Sequence, residues 1–112
     1  MVKILFVCSN NQDRSKTAED LYKNDPRYEV KSCGVDIVAT QPVTKELVNW
    51  AEVIVCMNDK HDRQVFKLHQ MFPYLKPMNK KIIDFDIPDH HVRGDPELVL
   101  LIKQKMQQYF QE

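Results

Sequence analysis

Residues 3–24, KILFVCSNNQDRSKTAEDLYKN, decide the fold of this chain. The apolar run at residues 3–7 is typical of a buried β-strand. Apolar side chains at helical spacing follow it and predict a helix over residues 14–24, which ends before the next proline. The loop between the strand and the helix, residues 8–15, begins with a cysteine and ends with an Arg-Ser pair.

The rest of the chain repeats this alternation of apolar runs and amphipathic stretches. Further strands are predicted at residues 28–33, 53–56 and 81–85, and further helices after the capping residues Thr44, Asp59 and Asp95. Strands that alternate with helices predict a parallel sheet with helices on both faces, here as a single domain over residues 1–112. Ligands bind such sheets beyond the carboxyl ends of the strands, so the loop at residues 8–15 is the first candidate site.

Composition excludes several classes of partner. Sixteen basic and sixteen acidic side chains give a net charge of zero, which argues against a nucleic-acid partner. No apolar stretch approaches the roughly 18 residues that span a bilayer, and the first one is too short for a signal peptide, so no membrane partner is expected. Three widely spaced cysteines are typical of a cytoplasmic protein rather than of a disulfide framework.

No metal or organic cofactor is predicted either. The chain has no CxxC pair, which argues against a structural zinc site. The adjacent histidines His90 and His91 follow Asp89, but adjacent side chains face different directions and no third ligand stands at a suitable spacing. We therefore interpret these histidines as part of a solvated loop.

The loop at residues 8–15 combines the parts that attack on phosphorus requires. Five residues between Cys8 and Arg14 can curl around an anion with their N–H groups inward, and the N-terminus of the following helix adds positive charge. Arg14 offers a planar fork of donors to two oxygens. Cys8 would lie at the base of this positive field as a thiolate nucleophile, with the Ser15 hydroxyl as its hydrogen-bond donor. The alternative interpretation is a buried cysteine without a chemical role.

The Cys-x5-Arg-Ser segment at residues 8–15 resembles the phosphate-binding loop of low-molecular-weight protein tyrosine phosphatases. Four other segments are also similar to that family in the same order: Ser32-Cys33-Gly34, Thr44-Lys45-Glu46, residues 51–58 and Asp86-Ile87-Pro88. The resemblance covers nearly the whole chain. It implies an α/β fold, a flavodoxin-like three-layer sandwich with a four-stranded parallel sheet.

By this resemblance each loop residue has an expected role. Cys8 is the expected nucleophile, Arg14 the phosphate clamp, Ser15 the partner of the thiolate and Asp86 the general acid. The expected substrate-binding residues are Ser9, Asn10, Asn11, Gln12 and Asp13, of which Asn11 organises the loop. The implied function is hydrolysis of a phosphorylated protein or a small phosphomonoester through a cysteinyl-phosphate, without a cofactor.

The sequence also departs from the family pattern. Asp13 places an acid inside an anion-binding loop, and its position suggests that the side chain faces outward. The aromatic residues that usually follow the acid loop are missing, and Asp89 competes with Asp86 as the general acid. Two alternatives therefore stay open. The chain could be an anion-binding regulatory domain with weak catalysis. It could instead be an arsenate reductase, which needs relay cysteines near Cys8.

Overall fold

A computed structural model describes all residues, 1–112. Strands and helices alternate along the chain. They are β1 Val2–Cys8, α1 Arg14–Tyr22, β2 Tyr28–Gly34, α2 Lys45–Trp50, β3 Val53–Cys56, α3 Gln64–Met71, β4 Lys81–Asp84 and α4 Pro96–Phe110. A short 3₁₀ turn, Pro73–Leu75, follows α3.

The four strands form one parallel sheet in the order β2-β1-β3-β4. Because β1 pairs on both sides, its carboxyl end lies between those of two neighbours, with Cys8 opposite Gly34 and Val7 opposite Cys56. The loop after β1 therefore starts at the point where the strand order reverses, which is where parallel α/β sheets bind ligands. The predicted fold class is confirmed.

Two separate apolar clusters cover the faces of the sheet. Alternate residues of β1 belong to different clusters, since successive strand side chains point to opposite faces. Ile4 and Phe6 pack with residues of α1 and α4, while Leu5 and Val7 pack with residues of α2 and α3. All four side chains are inaccessible to solvent, which explains why this strand is continuously apolar. The three layers expected from the sequence are thus present.

Two of the predicted helix starts are confirmed in detail. The Thr44 hydroxyl accepts a hydrogen bond from Leu47 N at 3.1 Å and caps α2. Asp95 caps α4 by accepting from Glu97 N at 3.0 Å, and Pro96 occupies the first turn. No helix of the protein is both long enough and apolar enough to cross a membrane.

The predicted start of α3 is wrong. The helix begins at Gln64 instead of directly after Asp59, because Asn58 Oδ1 accepts the backbone N–H groups of His61 and Asp62 and closes a turn. Arg63 then adopts a left-handed conformation with φ of 56°, which the periodicity of the apolar residues does not indicate. This turn brings the segment between β3 and α3 to the carboxyl edge of the sheet, beside the loop that follows β1.

Candidate active site

The loop after β1 is held from outside through its carbonyl groups. Backbone N–H groups of the segment after β2 donate to three successive carbonyls: Val35 N to Cys8 O at 3.0 Å, Asp36 N to Ser9 O at 3.1 Å and Thr40 N to Asn10 O at 3.1 Å. The two segments approach so closely that a Cβ on Gly34 would lie 2.4 Å from Ser9 O. Only a glycine fits there without displacing the loop.

With the carbonyls bonded outward, the N–H groups of the loop remain free. Six residues of the loop have a backbone N–H that donates no hydrogen bond to the protein: Ser9, Asn10, Gln12, Asp13, Arg14 and Ser15. They surround the end of β1 and lead into the first turn of α1. Consecutive free N–H groups at a helix N-terminus form an anion-binding concavity.

Cys8 lies at the base of this concavity in a buried network of hydrogen bonds. Its Sγ is 2.9 Å from Ser15 Oγ and accepts from Asn11 N at 3.2 Å. Asn11 Nδ2 donates to Ser15 Oγ at 2.8 Å, which leaves the single hydroxyl proton of Ser15 for the sulfur. Asn11 has a φ of 54°, a left-handed conformation that asparagine tolerates better than most residues. The loop therefore closes without a glycine at this position.

Arg14 is almost fully buried, and it makes a hydrogen bond to the protein through Nη1 only. Its Nη1 donates to Ile87 O at 2.9 Å and lies 2.8 Å from Asp62 Oδ2, an ion pair whose N–H is not aligned for a hydrogen bond. Nε lies 3.7 Å from Asp89 Oδ1. Neither Nε nor Nη2 makes a hydrogen bond to the protein, so this edge of the guanidinium is available to two oxygens of an anion.

The structure brings Asp89, and not Asp86, to the cavity above Cys8. The cavity is lined by Cys8, Asn10, Gln12, Asp13, Arg14 and Asp89. Asp86 does follow strand β4, as expected, but its φ of 53° turns the chain, and its carboxylate accepts from Asn58 Nδ2 at 3.3 Å instead. The sequence analysis favoured Asp86 over Asp89 because Asp86 directly follows a predicted strand, close to the position of the general acid in the resembling family.

The remaining predicted site residues lie in two layers. Asn10, Gln12 and Asp13 line the cavity, while Asn11 and Ser15 are buried beneath it. Ser9 lies behind the loop, where its Oγ accepts from Gln64 Nε2 at 3.4 Å.

Asp13 has a definite partner. Its Oδ1 accepts a hydrogen bond from Arg93 N at 3.0 Å, so the carboxylate is directed at the loop between β4 and α4. This acid therefore connects two segments of the site at the rim of the cavity. The sequence indicated that Asp13 faces away from the anion, but it gave no sign of this partner.

The sequence analysis did not predict three polar residues of the site: Asn58, Asp62 and Gln64. Asn58 and Gln64 are buried, and Gln64 Oε1 accepts from Asn58 N at 2.8 Å. Both follow β3, the neighbour of β1, at the carboxyl edge of the sheet. Their position after a buried strand is the feature of the sequence that could have identified them as site residues.

The other two cysteines differ from Cys8 in surroundings. Cys33 and Cys56 are fully buried in the apolar cluster on the opposite face of the sheet. Burial raises the pKa of the Cys33 thiol strongly, and it raises the pKa of Cys56 well above the usual value of 9.0. Both thiols are therefore protonated and unreactive at neutral pH.

Comparison with solved structures identifies proteins of the same fold. The YwlE arginine phosphatase from Geobacillus stearothermophilus is 24% identical, with a TM-score of 0.70 over 99% of this chain and 94% of that one. The low-molecular-weight protein tyrosine phosphatase SP-PTP from Streptococcus pyogenes is 21% identical, with a TM-score of 0.76 over 99% and 92%. This chain has the fold of the low-molecular-weight protein tyrosine phosphatases. The resemblance in fold predicted from the Cys-x5-Arg-Ser segment is confirmed.

The fold also occurs outside the phosphatases. A thioredoxin-dependent arsenate reductase from Corynebacterium glutamicum is 16% identical, with a TM-score of 0.66 over 99% of this chain but 61% of that one. No protein-family model matches the chain, and no curated protein matches it by sequence. At these identities the comparisons establish the fold, and the chemistry depends on the geometry of the site.

We expect iodoacetate, an anionic alkylating reagent, to label Cys8 in the folded protein long before Cys33 or Cys56. The free N–H groups attract the reagent's carboxylate, whereas burial keeps the other two thiols protonated. Inorganic phosphate should protect Cys8 by occupying the same concavity. Peptide mass analysis of the labelled sites measures both effects.

Labelling in guanidinium chloride is the control, since unfolding should make all three cysteines react alike. Equal labelling of the three in the folded state would contradict the assignment of the concavity as an anion site.

Proposed function

We propose that this protein hydrolyses phosphomonoesters or related phosphoryl compounds, with Cys8 as the nucleophile and a cysteinyl-phosphate as the intermediate. The observation that carries the proposal is the ring of free backbone N–H groups around Cys8 Sγ, next to the free edge of Arg14. A phosphoryl group bound there has its three oxygens surrounded by donors and its phosphorus above the sulfur. The phosphatase neighbours of the same fold support this assignment.

In the first step the Cys8 thiolate attacks phosphorus in line with the leaving group. The S–P bond forms, the bond from phosphorus to the leaving group breaks, and the leaving atom takes a proton from the carboxyl of Asp89. The N–H groups and Arg14 bind the equatorial oxygens, where negative charge is held in the transition state. The Ser15 hydroxyl donates to the sulfur and stabilises it when it carries charge.

In the second step water hydrolyses the intermediate. Asp89, now a carboxylate, accepts a proton from the water as its oxygen attacks phosphorus, and the S–P bond breaks to release phosphate and the thiolate. Asp89 is the proposed general acid because it lines the cavity, whereas Asp86 is turned toward Asn58. The same residue serves both steps, so no metal is required for the proton transfers.

The cysteines of this chain give no support to the arsenate reductase alternative. That chemistry regenerates the nucleophile through a second thiol that must reach Cys8 Sγ. Cys33 and Cys56 are inaccessible to solvent and belong to the apolar cluster on the other face of the sheet, so neither can exchange with Cys8 without unfolding. Hydrolysis therefore fits the site better than reduction.

The rim of the cavity favours a leaving group that carries positive charge or N–H donors. Two of the six lining residues, Asp13 and Asp89, are acids, and none is aromatic. No aromatic side chain lines the cavity to stack on a phenyl ring, whereas a guanidinium would lie near the Asp13 carboxylate, which uses only Oδ1 in its hydrogen bond to Arg93 N. A protein phosphorylated on arginine is therefore the second candidate substrate beside phosphotyrosine, and the YwlE neighbour is named as an arginine phosphatase.

We expect Cys8→Ser to abolish phosphate release while leaving phosphate binding nearly intact. The variant loses the thiolate but retains the free N–H groups and Arg14, which supply the affinity. Release of phosphate from nitrophenyl phosphate measures turnover, and calorimetric titration with phosphate measures binding.

Arg14→Lys is the complementary control, because lysine retains the charge but not the fork and should weaken binding. A Cys8→Ser variant with the turnover of the unchanged protein would overturn the mechanism. Tight phosphate binding without turnover in the unchanged protein would favour a regulatory anion-binding domain.

We expect Asp89→Asn to lower kcat/KM for phenyl phosphate by about 10²–10⁴-fold, the usual effect of removing a general acid. The same variant should change kcat/KM for nitrophenyl phosphate much less, since nitrophenolate leaves with little help from a proton and kcat/KM does not include the hydrolysis of the shared intermediate. Asp86→Asn is the matched control, because it removes an acid from the same loop that does not line the cavity. If the leaving-group dependence follows Asp86 and not Asp89, the two roles are exchanged.

We expect a peptide carrying phosphoarginine to have a higher kcat/KM than the same peptide with phosphotyrosine. Asp13→Asn should reduce this preference by about fivefold, since one charge pair near a surface contributes about 1 kcal/mol. Asparagine can still accept the hydrogen bond from Arg93 N, so the loop contact is retained. A preference for phosphotyrosine that Asp13→Asn leaves unchanged would exclude guanidinium recognition by these acids.

A further inference from the structure

In the loop between β4 and α4, residues 85–95, His91 is buried, contrary to the solvated position expected from the sequence, and its Nδ1 lies 3.1 Å from Asp95 Oδ2. Two sets of hydrogen bonds attach the loop to the rest of the protein, one on either side of Asp89. The first lies at Ile87, whose N–H donates to Met57 O at 2.7 Å and whose carbonyl accepts from Arg14. Ile87 is also buried, so this end of the loop is held by both packing and hydrogen bonds. Asp89 is exposed and follows two residues later.

The second attachment joins the loop to helix α1. Arg93 makes two parallel hydrogen bonds to the Asp20 carboxylate, from Nε to Oδ2 and from Nη2 to Oδ1, both at 2.8 Å. The backbone at this point is held as well, since Arg93 N donates to Asp13 Oδ1 and Gly94 N donates to Thr17 Oγ1 at 3.1 Å. Four hydrogen bonds thus connect two consecutive loop residues to α1 and to the residue that precedes it.

We propose that Asp20 and Arg93 are positioning residues whose ion pair sets the place of Asp89 above Cys8. This inference rests on the proposed function, in which Asp89 is the general acid. Helix α1 starts at Arg14, so the ion pair fixes the loop to the same rigid element that carries the phosphate clamp. A general acid must lie within hydrogen-bond reach of the leaving atom, and a displacement of about 1 Å can reduce the rate by 10²-fold.

The position of the ion pair on the surface supports a positioning role over a stabilising one. About half of the Arg93 side chain and a third of the Asp20 side chain are exposed, and such pairs contribute little to the stability of a protein. Variants of either residue should therefore fold. The hydrogen bonds from Arg93 also hold the pKa of Asp20 below its usual value, so the pair persists at neutral pH and is lost as the pH falls through that lowered pKa.

A second arginine provides a matched control. Arg27 binds Asp25 through the same two-pronged arrangement, with Nε and Nη2 at 3.0 and 2.6 Å from the carboxylate oxygens. This pair lies beside the start of β1, where Arg27 O accepts from Val2 N, at the opposite edge of the sheet from Cys8. Asp25→Asn breaks an ion pair of the same chemistry without touching the loop.

The test compares Asp20→Asn with Asp25→Asn on two leaving groups. Asp20→Asn should lower kcat/KM for phenyl phosphate by about 10- to 100-fold and leave kcat/KM for nitrophenyl phosphate within about twofold. Inhibition by inorganic phosphate should not change, because the N–H groups and Arg14 are retained. Asp25→Asn should behave like the unchanged protein with both substrates.

Two combined variants show whether the ion pair acts through Asp89. Adding Asp20→Asn to Asp89→Asn should cause no further loss for phenyl phosphate, since the general acid is already absent. Adding Arg93→Gln to Asp20→Asn should likewise cause no further loss, because the pair is already broken. Independent, multiplying losses in either case would overturn the proposal.

Limited trypsin digestion gives a readout that does not depend on activity. Asp20→Asn should accelerate cleavage after Arg93, whose side chain is then released, and Asp25→Asn should not. Unchanged cleavage in Asp20→Asn would show that the ion pair does not hold the loop, and would overturn the proposal.

If the unchanged protein hydrolyses neither ester, the proposed function fails and this inference fails with it. If the unchanged protein is active but Asp20→Asn has no leaving-group dependence, the inference alone fails.

Discussion

The outward hydrogen bonding of three consecutive carbonyls, at Cys8, Ser9 and Asn10, is the constraint on which the site depends. A peptide unit that directs its carbonyl to one side directs its N–H to the other. Once the segment after β2 bonds the carbonyls, the N–H groups can only face the end of β1. Gly34 makes this contact attainable, because any side chain there would meet Ser9 O. The anion site is therefore a consequence of how two loops pack together.

The charges around this concavity are arranged in layers. The free N–H groups and the edge of Arg14 without hydrogen bonds to the protein supply positive charge at the base, while Asp13 and Asp89 line the rim and Asp62 pairs with Arg14 Nη1. A carboxylate at the base would repel phosphate, but carboxyl groups at the rim face the leaving group of the substrate. The same carboxylates also hold the guanidinium and the β4–α4 loop in place. Binding and leaving-group recognition thus use different residues of one small surface.

Much of the fold was predictable from the chain. The continuous apolar runs at β1 and β3 can only be buried on both faces, and the caps at Thr44 and Asp95 start helices through local hydrogen bonds. The start of α3 was not predictable in the same way. Asn58 and Asp59 both have helix-capping side chains, and the choice between a turn and a helix depended on Asn58 bonding to two N–H groups ahead of it.

By itself the sequence determined the order of strands and helices, the three-layer arrangement and the loop that brings Cys8, Arg14 and Ser15 together. These features depend on periodicity and on spacing within one short segment, and both are local. Only the tertiary structure decided which acid approaches the cavity, where Asp13 points and how Arg93 is held. Each of these depends on contacts between segments far apart in the chain, such as Asp20 and Arg93. A single left-handed residue, Asp86, redirects the loop and reverses the order in which two acids reach the site.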